Sequence, residues 1–281
     1  KGAALATISC QFLSFLLAIL FLLKGCKIKL SFGNYDLKIM ANILKLGFSP
    51  FIIMGTDSVI IILLNAMLQK FGNGNGDFYI EVATIVQAFE SLITGPLLGI
   101  SSGTQPILGY NYGAKRIDII KKAEKQLTLF ALCFCTACFG LSFILAKPFS
   151  TIFVGLGTKT QASEEIINAS IKFIRWYMMG IIPLAFQYVY VDGLTGMGQA
   201  NYSIWLSINR KLFILVPLTI LLPLLTKEAS FAFLAEPIAD ACSGIFALIF
   251  YLIVTPKIFR KRLEEHPVEH IIQKQDRKES K

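Results

Sequence analysis

Asp57 stands in Gly55-Thr56-Asp57-Ser58, near the middle of an apolar run from Ile43 to Leu68. A carboxylate at bilayer depth costs about 2.5–3.5 kcal/mol on insertion scales, so it needs a partner or a cavity. Proton exchange and cation binding are the chemistry such a group suits; a structural hydrogen bond to a neighbouring helix is the alternative. Glu236 and Asp240 lie four apart, on one helix face, with Pro237 between them to open the backbone. Glu236 also reads as a group wetted at the outer interface. Gln87 and Glu90 share one side of a third apolar run. With Asp57, these groups would line a cavity that attracts cations. Met54, Phe186 and Tyr190 are candidates for an adaptable wall, since Met and aromatic side chains accommodate varied ligands; packing against lipid or helices is the competing reading. Asp192, just before Gly193, reads as an interfacial group or as the partner of Arg210.

Other chemistries find little support. The two histidines, His266 and His270, lie in a hydrophilic tail, so no zinc ligand set converges. Five of the six cysteines, Cys10, Cys133, Cys135, Cys138 and Cys242, sit in apolar runs and read as small buried hydrophobes. Cys26 lies in a basic loop. No nucleophile–base pair is evident, so the chain does not read as an enzyme, and no metal or organic cofactor is expected.

The elements that position these groups must cross a membrane. The chain is 54% hydrophobic and 16% charged, with a mean hydropathy of +0.62. A water-soluble domain of that composition would expose too much apolar surface. Seven runs are near the length that spans a ~30 Å hydrocarbon layer: 2–23, 43–68, 79–107, 126–146, 171–191, 204–225 and 231–254. Pro50, Pro96, Pro183, Pro217 and Pro237 lie inside them, tolerable where neighbouring helices or a wet cavity satisfy the freed carbonyls. The net charge of +9 reflects loop lysines and arginines that set orientation, not nucleic-acid binding. Lys24–Lys45, Lys115–Lys125, Arg210 with Lys211, and Lys257–Arg262 fall on one side. The positive-inside rule makes that side, and the C-terminus, cytoplasmic.

One stretch is unusually specific: Gly103-Thr104-Gln105-Pro106-Ile107-Leu108-Gly109-Tyr110-Asn111-Tyr112-Gly113-Ala114-Lys115-Arg116. Pro106 and its three glycines argue against a regular helix and for a defined turn. Tyr110 and Tyr112 followed by two cations suit a cytoplasmic membrane interface. The pattern Gln105-Pro106, Gly109-Tyr110-Asn111 and Gly113 resembles the multidrug and toxin extrusion (MATE) transporters, in their bacterial multidrug-efflux branch. Gly47-Phe48-Ser49-Pro50, Gly196-Met197-Gly198-Gln199-Ala200 and Pro237-Ile238-Ala239-Asp240 resemble other family segments.

The resemblance implies an all-α integral membrane protein of about seven transmembrane helices, half of a two-lobe antiporter. Residues 1–23 would be the last helix of the N-lobe, 24–42 a cytoplasmic linker, 43–256 the six-helix C-lobe and 257–281 a cytoplasmic polar tail. It implies efflux of organic cations or drugs by alternating access, coupled to Na⁺ or H⁺, in the cell membrane. Its partners would be the lipid bilayer and an N-lobe of the same polypeptide. Asp57, Asp240, Glu236 and Glu90 would carry coupling, and Gln87, Met54, Phe186 and Tyr190 the substrate cavity. A lipid-linked oligosaccharide flippase of similar fold is the main alternative, but its cavity should be basic. A non-transporting fragment is the other.

Overall fold

The computed structural model describes residues 2–24, 36–155 and 161–264; some side chains within them, including those of residues 45–54, lie outside the description. The described residues are helices joined by turns, in agreement with an all-α membrane fold. In chain order they are α1 (Gly2–Lys24), α2 (Leu37–Phe71), α3 (Gly76–Gly103), α4 (Gln105–Gly113) and α5 (Ile117–Val154). There follow α6 (Gln161–Tyr177), α7 (Ile181–Gly196), α8 (Ala200–Ile208), α9 (Val216–Thr226) and α10 (Ala235–Glu264). Five rods are long and apolar enough to cross a membrane: Leu5–Leu23, Gly76–Gly113, Ile117–Val154, Ala200–Thr226 and Ala229–Glu264. The remaining expected spans correspond to α2 and to α6 with α7. The latter two are 17 and 16 residues long because the rod is interrupted between them.

The chain divides into two compact units between Gly47 and Phe48, inside α2. In the first, α1 leaves Leu5, Phe12 and Phe21 exposed, as a lipid-facing helix does. Most of the expected linker, residues 25–35, lies outside the description, as do residues 265–281 with both histidines. Residues 257–264, expected in the polar tail, continue α10 as helix.

The second unit holds the core. There α7 packs on α10, α5, α3, α8 and α4. Phe89, Leu108, Ile120, Ile174, Leu184 and Leu194 are fully buried between these rods, while Leu92, Leu129, Ile144, Leu225 and Leu252 point outward. Lipid tails are as apolar as leucine, so helices gain from close approach rather than from hydrophobic burial. Small residues supply it. A Cβ on Gly244 would run into the Pro183 carbonyl oxygen, and one on Gly180 would fall 2.6 Å from that of Pro237.

Three rods are irregular where proline requires it. Proline lacks an N–H, and its ring clashes with the carbonyl four residues back. For Pro183, Pro217 and Pro237 those carbonyls belong to Met179, Phe213 and Phe233. Each lies in an irregular stretch: 3₁₀ at Met178–Gly180, π at Asn209–Leu215, and 3₁₀ at Ala229–Leu234. The Gln105–Gly113 segment differs from expectation. It is a regular α-helix, and the break before it is the single residue Thr104. Pro106 sits in the first turn, where its missing N–H has no helical acceptor anyway.

Candidate functional site

Midway along the α8–α9 rod, the π-helical stretch carries Arg210 and Lys211. A π turn inserts an extra residue into the helical register and redirects side chains, and such turns cluster at functional sites. Here both cations turn into the bundle. Arg210 is 9% exposed. Its Nη2 lies 2.6 Å from Asp240 Oδ1 and 3.1 Å from Glu236 Oε1, and its Nε donates to Asp240 Oδ1 at 2.8 Å. Lys211 pairs with Asp57. Three helices therefore hold three ion pairs: α2, the α8–α9 rod and α10.

Glu90 joins them from α3. Carboxylate oxygens of Glu90, Glu236 and Asp240 lie within 4.8 Å of one another. Like charges this close repel unless a cation or proton intervenes. Arg210 supplies one such cation from the protein itself. Glu236 and Asp240 are brought together by their i, i+4 spacing, as read from the sequence. Asp240 is 3% exposed, whereas the Asp57 side chain is 51% exposed. Glu236 lies inside the bundle with 16% of its side chain exposed, not as a wet interfacial group.

Asp57, Glu90, Glu236, Arg210 and Lys211 border a cavity of about 300 Å³, lined also by Gln87, Ser91, Tyr177 and Tyr188. Asp57, Glu90, Glu236 and Gln87 thus share one space. Phe186 and Tyr190, also expected in this wall, lie elsewhere. Tyr190 borders a second, larger cavity. Its ring stacks on Tyr251 at 4.2 Å between centroids and on Phe186 at 6.1 Å. The Met54 side chain lies outside the described residues.

Two assignments change. Arg210 and Lys211, counted from the sequence among the interfacial cations, are intramembrane counter-ions. Asp192 does not pair with Arg210. It accepts hydrogen bonds from Ser101 Oγ and from Gln105 Nε2, the latter at 3.0 Å. The signal for the counter-ions was present: two cations ten residues into an apolar rod have the same need for partners as Asp57. Tyr177, Tyr188 and the buried Glu124 were not anticipated.

The Gln105–Gly113 helix ties three rods together. Gln105 reaches Asp192 on α7. Tyr112 Oη accepts from Gln199 Nε2 at 3.3 Å, and Arg262 donates to the carbonyls of Tyr112 and Gly113, each at 3.3 Å. Arg262 also lies over the Tyr112 ring, 5.3 Å from its centroid. Asn111 turns back on its own helix, donating to the Ile107 carbonyl at 2.8 Å. Tyr110 stays exposed. A Cβ on Gly109 would fall 2.7 Å from the Gly196 carbonyl oxygen, so this glycine permits the α4–α7 contact. Gly113 meets nothing within 4 Å and has no positive φ. The left-handed residue is Lys115, φ 59°.

Comparison with known proteins agrees with this geometry. The MatE family model matches residues 50–221. Among solved structures, "Crystal structure of MATE in complex with MaL6" superposes with a TM-score of 0.80 at 18% identity, over 92% of this chain and 57% of that one. An outward-facing multidrug resistance MATE family transporter of the MOP superfamily gives 0.79 at 19%, over 92% and 57%. A MOP superfamily transporter from Pyrococcus furiosus, whose reverse pocket polarity is taken to suggest a different function, gives 0.78 at 19%, over 90% and 55%. The chain thus spans little more than half the length of the structures it resembles. A search of the curated proteins gives no match. The family model covers the helices that carry Asp57, Glu90, Arg210 and the Gln105–Gly113 segment, and this chain belongs to the MatE family of multidrug and toxin extrusion transporters.

Proposed function

We propose that this chain is the C-terminal lobe, with the last helix of the preceding lobe, of a cation-coupled exporter of organic cations in the cell membrane. Residues 43–256 form the lobe and 24–42 the linker, with the C-terminus in the cytoplasm. The observation that carries this reading is the intramembrane cluster of Asp57, Glu90, Glu236 and Asp240 around Arg210 and Lys211. Four carboxylates face two cations, so when ionised the cluster has capacity for a further Na⁺ or proton. A bound cation shifts a two-state equilibrium only if its affinity differs between the states. Rocking of one lobe against another can supply that difference by changing how Arg210 and Lys211 divide the carboxylates. Coupling is then a competition between protein cations and transported ones. The flippase alternative needs cations free to hold a pyrophosphate, whereas Arg210 and Lys211 are both engaged by acids.

The test is reconstitution of the two-lobe polypeptide in liposomes with a fluorescent organic cation, imposing a Na⁺ or a H⁺ gradient separately. One gradient should drive dye movement, and Glu90→Gln should uncouple it. Dye movement indifferent to both gradients would sink the reading.

A further inference from the structure

A third cavity, of about 400 Å³, lies between α5 and α6 and shares no lining residue with the ion-pair cavity. Its α5 wall is Phe143, in the half of that helix remote from Lys121. Its α6 wall carries Lys172, Arg175 and Trp176. Phe143 stands three residues from the end of the apolar run 126–146. Lys172 is the second residue of the run 171–191, and Arg175 the fifth. Both cations therefore stand where the rods enter hydrocarbon, at headgroup depth.

Lys172 and Arg175 are exposed, and neither forms an ion pair among the described residues. Glu165 shares the Lys172 face of α6 but lies two turns back, about 10 Å along the axis. Both cationic heads rest instead on aromatic rings. Lys172 Nζ lies 4.8 Å from the Trp176 centroid and 5.6 Å from that of Phe173. Arg175 crosses to α5, its guanidinium carbon 5.5 Å from the Phe143 centroid. The rings are themselves braced. Trp176 meets Phe173 edge-on at 5.5 Å, Phe173 stacks on Phe233 at 4.2 Å, and Phe143 meets Phe139 edge-on at 5.3 Å. A ring face positions a cation but brings no net negative charge. Two positioned cations on one cavity ask for a shared anion. The adjoining surface, with Phe143, Ile144 and Met179 exposed, is apolar. The anion that suits it carries hydrocarbon.

We propose that this cavity seats the phosphate of an anionic phospholipid, of the phosphatidylglycerol type. The planar fork of Arg175 takes two phosphate oxygens, and Lys172 adds a point charge. An acyl chain follows Phe143 and Met179. The glycerol headgroup lies toward Asn168, one turn before Lys172, whose amide both donates and accepts. An ethanolamine or choline headgroup would instead bring a further cation beside Lys172 and Arg175. The proposal rests on the membrane fold and not on cation-coupled efflux.

Trp176 supplies the readout. The only other tryptophan is Trp205, so Trp205→Phe leaves a single emitter on the cavity wall. Lipids brominated on their acyl chains quench a tryptophan only at contact. In phosphatidylcholine vesicles, brominated phosphatidylglycerol should reach half-maximal quenching at about one tenth of the mole fraction that brominated phosphatidylcholine needs. That ratio is the equivalent of 1.4 kcal/mol. Brominated phosphatidylethanolamine should behave as the choline lipid does. Adding Lys172→Gln and Arg175→Gln should bring the glycerol lipid to the level of the other two. Adding Lys121→Gln and Lys125→Gln, at the other end of α5, should leave the preference intact. Molar salt should shrink the preference in the Trp205→Phe protein itself, which decides the matter even where the glutamine variants fold poorly. Equal quenching by the glycerol lipid and either zwitterionic lipid overturns the proposal. So does a preference that survives Lys172→Gln with Arg175→Gln, or one that salt does not move. Relief of quenching by glycerol 3-phosphate overturns it too, since the occupant is then a free anion and not a lipid.

Discussion

Arg210 and Asp57 make opposite demands on the protein. Arg210 is buried, and its guanidinium stands against two carboxylates, Glu236 and Asp240. Removing one partner of a buried ion pair leaves uncompensated charge, at a cost of about 3–5 kcal/mol. Arg210→Met is therefore expected to lower the melting temperature in detergent sharply. Adding Asp240→Asn should recover part of the loss, with a coupling of about 0.5–3 kcal/mol in the double-mutant cycle. Additive effects would mean that the two side chains do not act together. Asp57 is half exposed, and a screened pair of that kind is worth about 0–1 kcal/mol. Its partner Lys211 is only 13% exposed, so Asp57→Asn should lower the melting temperature, but by less than Arg210→Met does. In the two-lobe polypeptide it should nonetheless lose gradient-driven efflux, because it removes the acid that holds Lys211. Parent-level pumping at equal expression would leave Asp57 a surface residue and pass the coupling role to Glu90, Glu236 and Asp240.

At the scale of elements, the glycines of the Gln105–Gly113 helix separate into two kinds. Gly109→Val should reduce the yield of folded protein, because its Cβ would enter the Gly196 backbone at 2.7 Å. Gly113→Ala faces open space and should fold normally, and even gain up to about 1 kcal/mol of helix propensity. Fluorescence-detected size exclusion of the two variants checks this, and equal losses would contradict it. The pair also shows what the sequence could disclose. Apolar runs of membrane length announced the rods, because lipid imposes hydrophobicity on every outward position. The i, i+4 spacing of Glu236 and Asp240 announced one half of the acidic cluster. Glycine, by contrast, is ambiguous in a sequence: it can serve a turn, a positive φ or a close approach. Only the neighbouring rod reveals that Gly109 serves the last and Gly113 none. Arg210 was misread for a related reason. Positive residues are normally interfacial, and the π turn that aims this one inward is set by Pro217 four residues beyond Phe213. Glu124 was hidden because Lys121, Lys122 and Lys125 make its segment look like a solvated helix end.

For the whole molecule, the open question is which way the lobe lies in the membrane. Arg210 and Lys211 are held in internal ion pairs and take no part in setting orientation. What remains still points one way. The Tyr112 and Gly113 carbonyls receive Arg262, so the start of α5 and the end of α10 share one end of the bundle. That end carries Lys115, Arg116, Lys121, Lys122 and Lys125, together with Lys257, Arg260, Lys261 and Arg262. The turn between α2 and α3 lies a full rod away, at the other end of α3. It carries one cation, Lys70. Orientation follows lysine and arginine in short loops, not net charge, and the proposed orientation therefore puts the basic end in the cytoplasm. A cysteine-free version with a single cysteine in place of Gly74 should react with an impermeant maleimide added to intact cells. One in place of Lys121 should react only after the cells are opened. Gly74 suits the probe because it is exposed in the turn, and Lys121 because its side chain is exposed. Labelling of position 121 in intact cells would invert the orientation.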